Sequence, residues 1–337
     1  MEVSRARLRA LVERIRGRRT LVIGDVMLDE YIFGTVSRIS PEAPVPVVDV
    51  DFNQHTYAPG GATNVAHNLR ALGAEVAILG VVGDDPQGAT LRRHLEKLGV
   101  ETAGLLVDPD RPTTLKTRII AHTQQVVRVD RESRQPLSAR MEDRLRDFLE
   151  TAVAQGAEAV LISDYDKGVA RGELPQAAVR LCRPRGIPVT ANPKPPNLLR
   201  LRGATAVTLN HLEAEAAAGR RLQDEGALRE AGQVMRSELE LDALLVTRGS
   251  RGMMLFSNDG HCRAIPAVPV EVYDVVGAGD TAFATLSLAL VAGAGFEEAA
   301  TLANLAGAAV VRKVGTAVAT PDELLAMIEE CASGVGE

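Results

Sequence analysis

The segment Asp274-Val-Val-Gly277-Ala278-Gly279-Asp280-Thr281, followed by a long apolar stretch, has residue types suited to chemistry on an anion. Its two glycines allow a tight turn that exposes backbone N–H groups at a helix N-terminus, where free donors and the helix dipole favour negative charge. A carboxylate lodged there is costly for simple anion binding. It is useful if Asp280 takes the proton of a hydroxyl that attacks a phosphoryl group. The same pattern also fits an ordinary helix cap by Asp280 or Thr281, and the local sequence leaves both open. Gly277 to Ala282 formally matches the dinucleotide fingerprint GxGxxA, with Glu297 and Glu298 about 20 residues on. That acid should end a second strand, however, whereas these two follow an Ala/Gly-rich helix and turn, which argues against an NAD site. No GxxxxGK[ST] is present, so a P-loop is excluded.

Other clusters follow apolar runs that read as strands. Gly60 and Gly61 let a loop approach a ligand, and Asn64 three residues on can donate to and accept from sugar hydroxyls, or simply cap a helix. Thr247-Arg-Gly249-Ser-Arg-Gly252 is a plausible nucleotide-side loop or an ordinary turn. Asp25 and Asp29 flank the end of the first strand, where ligands of open α/β sheets bind, and paired acids suit vicinal hydroxyls as well as solvent. Lys167, in Ser163-Asp-Tyr-Asp-Lys-Gly168, can reach a phosphate. Asn192-Pro-Lys194 and Asn210-His-Leu-Glu213 follow the next two strands, and Glu213 can hold a magnesium-bound water. The six histidines show no metal-ligand spacing, so His211 is not read as a ligand.

The elements that must position these residues alternate. Strands are expected at 21–23, 76–82, 159–163, 188–190, 206–209 and 243–247, with helices at 63–72, 88–98, 138–155 and 224–238, which reads as βαβ units around a parallel sheet. Residues 45–52 and 113–131 break the rhythm with period-two alternation; a turn near 121–124 makes the second a hairpin. Together they predict a small β-sheet projecting from the body, one face of which needs a ligand or second subunit to cover it. The uncharged run Thr281–Phe296 is short for a membrane span and reads as a buried helix.

Composition narrows the function further. The 337 residues are 46% hydrophobic and 24% charged, as in an ordinary globular protein. A net charge of −6 and 3% aromatics without tryptophan argue against a nucleic-acid partner. Three widely spaced cysteines form no CxxC pair, which suits a reducing cytosol. The basic N-terminus has helical spacing and lacks the apolar core of a signal peptide, so a cytoplasmic protein without membrane association is expected.

Taken together, the motifs resemble the ribokinase (PfkB) family of sugar kinases from Gly24-Asp25 to about Pro321. Within it the chain is most similar to the heptose 7-phosphate kinases, through Gly24-Asp-Val-Met-Leu-Asp29, Ser37 to Val47, Gln124-Gln125 with Arg128 and Asp130, and Ser163 to Gly168. The resemblance implies a ribokinase-like three-layer α/β sandwich with a mostly parallel sheet and a small β lid. The body would take 1–30, 62–110 and 133–337, and the lid 31–61 and 111–132. It implies ATP and Mg2+ as cofactors, a sugar phosphate as substrate, and a homodimer through the lid. Asp280 matches the catalytic base, and the amides of Gly277, Ala278 and Gly279 match the anion hole. Asp29, Gly60, Gly61 and Asn64 match the sugar side, with Arg128, Lys167 and Lys194 assigned to its phosphate. Asn210, Thr247, Gly249, Gly252 and Asn304 match the nucleotide side, and Glu213 the magnesium motif. Relatives that join this kinase to a nucleotidyltransferase carry HxGH; its absence implies a kinase-only protein. Asn192 and Val276 depart from the usual Asp and Thr, which puts the organisation of phosphate or metal, or the sugar preference, in doubt while sparing the base.

Overall fold

The computed structural model describes residues 3–333, apart from the side chains of 51–54 and 332–333. The described strands are β1 (Arg19–Gly24), β2 (Val26–Ile39), β3 (Pro46–Gly61), β4 (Glu75–Val82), β5 (Leu105–Val107), β6 (Thr114–Ala121), β7 (Gln124–Arg131), β8 (Ala159–Ser163), β9 (Val189–Asn192), β10 (Ala206–Asn210), β11 (Ala243–Thr247), β12 (Met253–Ser257) and β13 (Cys262–Ile265). The described helices are α1 (Arg5–Arg14), α2 (Ala62–Ala71), α3 (Pro86–Lys97), α4 (Ala139–Ala154), α5 (Leu174–Cys182), α6 (His211–Ala218), α7 (Glu225–Glu238), α8 (Ala278–Val291), α9 (Phe296–Val311) and α10 (Pro321–Ser333).

The large sheet runs β13-β12-β11-β10-β9-β8-β1-β4-β5 and is parallel except at β12 and β13. Its central strands are continuous apolar runs because both faces are covered. Along β1, Val22 packs with α1, α2 and α8–α10, while Leu21 and Ile23 pack with α4, α5 and α7. Two hydrophobic layers on one sheet make the three-layer α/β sandwich. Helix starts follow local chemistry: the side chains of Ser4, Asp85, Ser138 and Asp224 each accept a first-turn N–H, and Pro86 opens α3.

The second sheet, β3-β2-β6-β7, is the lid. It starts earlier than expected: Val26–Glu30, assigned to the body from sequence, already pair with β3 and β6. Asp29 and Glu30 hid this strand because both lid faces are covered here, so both side chains are buried and the usual alternation is lost. The expected turn at 121–124 does join β6 to β7. Two further differences concern the body. The run Thr281–Phe296 is not one helix: α8 stops at Val291, Gly293 takes a left-handed φ of 88°, and α9 starts at Phe296. The antiparallel end strands β12 and β13 and the short β5 were not foreseen. Among the described residues, no helix is long and apolar enough to cross a membrane.

Gly61 returns the chain from lid to body. Its φ is 55°, and a Cβ there would stand 2.7 Å from the Asp25 carbonyl oxygen. Gly61→Ala is expected to cost about 1–3 kcal/mol of stability in urea denaturation, from strain in a backbone that cannot shift freely.

Candidate active site

The site lies where the carboxyl ends of β1, β8, β9, β10 and β11 meet the N-terminus of α8. From β1 the chain order runs outward to β4 and β5 on one side and from β8 to β11 on the other. Such a reversal opens a crevice at the strand ends.

Asp280 is the buried centre of this crevice. Its Oδ2 accepts from Asn64 Nδ2 at 2.7 Å and its Oδ1 from the Tyr165 hydroxyl at 2.7 Å. Thr281 Oγ1 donates to Asn68 Oδ1 at 2.6 Å, and Asn68 Nδ2 donates to the Asn64 carbonyl at 2.8 Å. A polar ladder between α2 and α8 therefore sets the carboxylate's height. Neither Asp280 nor Thr281 caps α8; the preceding residue, Gly277, makes no side-chain cap, so the capping alternative falls. Gly277 has φ 80°, and a Cβ on it would sit 3.1 Å from Asn64 Nδ2. Gly279 has nothing within 4 Å of a would-be Cβ, so it opens onto a cavity. Ala278 N–H reaches back to the Val275 carbonyl at 3.3 Å, which leaves Gly277 and Gly279 as the freer members of the expected anion hole. Burial pushes the Asp280 carboxyl above the ordinary aspartate value; the donors Asn64 and Tyr165 and the charge of Lys194 pull it back.

On the lid side, Asp29 lies on β2 in register with Lys116 of β6, and Tyr31 with Arg118. Arg118 Nη1 meets Asp29 Oδ1 at 2.9 Å, a buried pair without a well-directed hydrogen bond, and its guanidinium lies 5.2 Å from the Tyr31 ring centroid. Sequence reasoning missed Arg118, although its alternation with Thr117 and Ile119 placed it on one face of a lid strand. Gly60 is needed beside Asp29: a Cβ would come within 2.9 Å of that carboxylate. Arg128, opposite Arg118 on β7, pairs with Asp130 at 2.8 Å. Lys167 is buried and pairs with Glu132 at 2.6 Å, and Glu132 also draws in Lys116 at 3.5 Å. Asp25 is not positioned as a hydroxyl acceptor. It turns inward and accepts the N–H groups of Tyr165, Lys167 and Val169, and burial, with Asp164 nearby, holds its carboxyl up at about 6.

Beside the residues expected on the nucleotide side lie two adjoining cavities that share Thr247, Gly279 and Ala282. The polar one, about 170 Å3, is lined by Asn192, Lys194, Asn210, Glu213 and Asp280 among others. Lys194, assigned from sequence to the sugar phosphate, lines this cavity: its ammonium pairs with Glu213 at 2.5 Å and lies over the Tyr165 ring. Asn210 Oδ1 accepts Glu213 N–H while Glu213 Oε2 accepts Asn210 N–H, a capping box that fixes both at the start of α6. Asn192 Nδ2 donates to the Thr208 carbonyl, and Val276 is exposed; neither is hydrogen-bonded to Asp280. The other cavity, about 420 Å3, is apolar, lined by Val268, Val270, Val272 and Val275 with Gly249, Gly252 and Asn304. Asn304 Nδ2 donates to the Pro266 carbonyl and so fixes one wall. Among the described residues, no three metal-binding side chains converge. The donor set suits a hydrated Mg2+ met by Glu213 through water, since Mg2+ retains several waters and needs few protein ligands.

Residues 18–323 match the family described as pfkB family carbohydrate kinase. The bifunctional protein HldE of Geotalea uraniireducens is 45% identical over 326 residues, covering 97% of this chain and 66% of that relative. The bifunctional protein HldE of Helicobacter hepaticus is 44% identical over 310 residues, covering 92% of this chain and 64% of that relative. The chain thus spans slightly under two-thirds of the length of these curated relatives. Solved structures share the fold at low identity. Escherichia coli phosphofructokinase-2 in complex with potassium has a TM-score of 0.76 at 20% identity, over 94% of this chain and 99% of that one. Arabidopsis thaliana ribokinase complexed with ribose and ATP has 0.71 at 18%, over 93% and 99%.

Gly307 on α9 lines the apolar cavity, and a Cβ there meets nothing within 4 Å. Gly307→Leu should fill the cavity while favouring the helix. If the cavity takes the nucleoside, ATP binding is expected to weaken about tenfold or more by isothermal titration, with a melting temperature at or above that of the wild type.

Proposed function

The chain belongs to the pfkB family of carbohydrate kinases, and from that membership we propose that it transfers the γ-phosphoryl group of ATP to the anomeric C1 hydroxyl of D-glycero-β-D-manno-heptose 7-phosphate. The products are the 1,7-bisphosphate and ADP. The observation that carries this reading is the buried Asp280 carboxylate, held by Asn64 at the N-terminus of α8 between the lid and the polar cavity. The likeness in Gly24–Asp29, Ser37–Val47 and Ser163–Gly168 supports the heptose phosphate over other sugars.

Asp280 takes the proton of the C1 hydroxyl as its oxygen bonds to the γ-phosphorus and the bond to the bridging oxygen of ADP breaks. The proton then leaves to solvent when the lid opens. The amides of Gly277 and Gly279, with Lys194, receive the γ-phosphoryl oxygens, donors already in place before charge develops. Glu213 would hold Mg2+ through water, and the ion would supply further neutralisation of the phosphate charge. Asp29, Asn64 and the Gly60–Gly61 turn hold the sugar hydroxyls, and Arg118 joins them through its pair with Asp29. Lys167 and Arg128 hold the 7-phosphate, with Glu132 and Asp130 as counterions while that site is empty of substrate. Thr247, Gly249, Gly252 and Asn304 hold the nucleoside, with Asn210 beside its phosphates. Closure of the lid over the sugar excludes water, which would otherwise accept the phosphoryl group. A homodimer joined through the lid belongs to the same reading; the exposed Ile39, Val45, Val50, Val127 and Val129 support it.

Asp280→Asn should keep ATP binding and lose about 10²–10⁴-fold in turnover; near-normal turnover would refute the base. Phosphorus NMR of the product from heptose 7-phosphate and ATP should show a second phosphate at C1, and a panel of fructose 1-phosphate, ribose and nucleosides should react poorly. Because the base works only when ionised and burial raises its pKa, kcat/KM should fall on acidification at a pH above the ordinary aspartate range.

A further inference from the structure

Tyr165 has no role in the scheme above, yet its hydroxyl lies as near Asp280 as Asn64 does. Its O–H donates to Oδ1 at 2.7 Å while Asn64 Nδ2 donates to Oδ2 at 2.7 Å. One donor on each oxygen fixes the plane of the carboxylate and leaves a lone pair on each for an incoming hydroxyl.

The loop that presents Tyr165 is heavily anchored. Asp25 accepts the N–H groups of Tyr165 at 2.8 Å, Lys167 at 2.9 Å and Val169 at 3.1 Å. Asp164 accepts from Asp166 N–H at 2.8 Å, and from Lys194 N–H and Asn197 Nδ2, both at 2.9 Å. Asp166 has φ 59°, a conformation a non-glycine residue holds only when its surroundings impose it. On the ring face, Lys194 Nζ lies 5.2 Å from the centroid. Two buried aspartates and a strained residue therefore serve to place one phenol against one carboxylate.

We propose that Tyr165 is a positioning residue for the base, orienting Oδ1 of Asp280 and keeping that carboxylate ionised by donating to its charged form. The proposal rests on the reading of Asp280 as the base. The groups facing Asp280 are Asn64 from α2, Tyr165 from the loop after β8, Lys194 from the loop after β9, and Asp29 from β2, itself paired with Arg118 of β6; Glu213 of α6, paired with Lys194, lines the same cavity. Asp29 opposes ionisation through space and Lys194 assists it. Asn64 and Tyr165 bond the carboxylate directly. Burial first, and the charge of Asp280 second, hold the ionisation of Tyr165 far above the ordinary tyrosine value. The phenol therefore stays a donor and does not replace Asp280 as base.

The sign follows. Removing the hydroxyl withdraws a hydrogen bond from the ionised carboxylate alone, so the base protonates at higher pH. The test is Tyr165→Phe, which keeps the ring under Lys194. One arm measures kcat/KM against pH with ATP and D-glycero-β-D-manno-heptose 7-phosphate. The other titrates the Asp280 carboxyl by carbon NMR in substrate-free protein labelled at aspartate, with Asp280→Asn identifying the resonance. Both midpoints should rise by about one pH unit, and the activity deficit should shrink as pH is raised. Unmoved midpoints, or the same loss at every pH, would overturn the proposal. If the wild type leaves the heptose phosphate unphosphorylated while the NMR midpoint still rises in Tyr165→Phe, the substrate reading fails and the positioning of Asp280 stands.

Discussion

A carboxylate removed from water resists ionisation, and a general base works only when ionised. Asp280, proposed as that base, sits in the conflict, and much of the surrounding structure resolves it. Asn64 and Tyr165 bond its two oxygens, Lys194 offsets its charge through space, and the start of α8 adds the favourable end of the helix dipole. Each partner is in turn positioned by something else. Asn68 ties Asn64 to Thr281 one residue beyond the carboxylate, the empty space at Gly277 lets the Asn64 amide approach, and Asp25 and Asp164 anchor the loop bearing Tyr165. The three-layer body brings α2, α8 and the ends of β8 and β9 to one place, which no single segment could do.

The lid is the other half of the arrangement. It grows from β1 through Asp25 and re-enters the body at Gly61, the residue just before α2. Asp29 on β2 and Asn64 on α2 therefore lie on either side of that junction, and Asn64 holds Asp280 from the body side. The ion pairs of Lys116 and Lys167 with Glu132 join the other edge of the lid to the body, level with Asp29; in the proposed reading the sugar phosphate would compete for Lys167.

Much of the body could be read from the sequence because buried parallel strands are continuous apolar runs; Ala159–Ser163 is buried at every position. The Gly277–Asp280 turn was legible for a similar reason, since few folds need two glycines and an acid at a helix start. What was missed depended on three-dimensional context. Val26–Glu30 did not look like a strand because Asp29 and Glu30 are both buried polar groups. The cavity that Lys194 enters was not legible, because spacing after a strand does not say where a side chain goes. Tyr165 stood out by no pattern; an aromatic between two aspartates reads as loop until the fold brings α8 against it.

A crystal structure with a non-hydrolysable ATP analogue and heptose 7-phosphate examines the central claim most directly. The C1 oxygen should lie within about 3 Å of an Asp280 carboxylate oxygen and in line with the γ-phosphorus and its bridging oxygen. An acceptor hydroxyl bound elsewhere, with Asp280 still closed off by Asn64 and Tyr165 and far from the terminal phosphate, would contradict it.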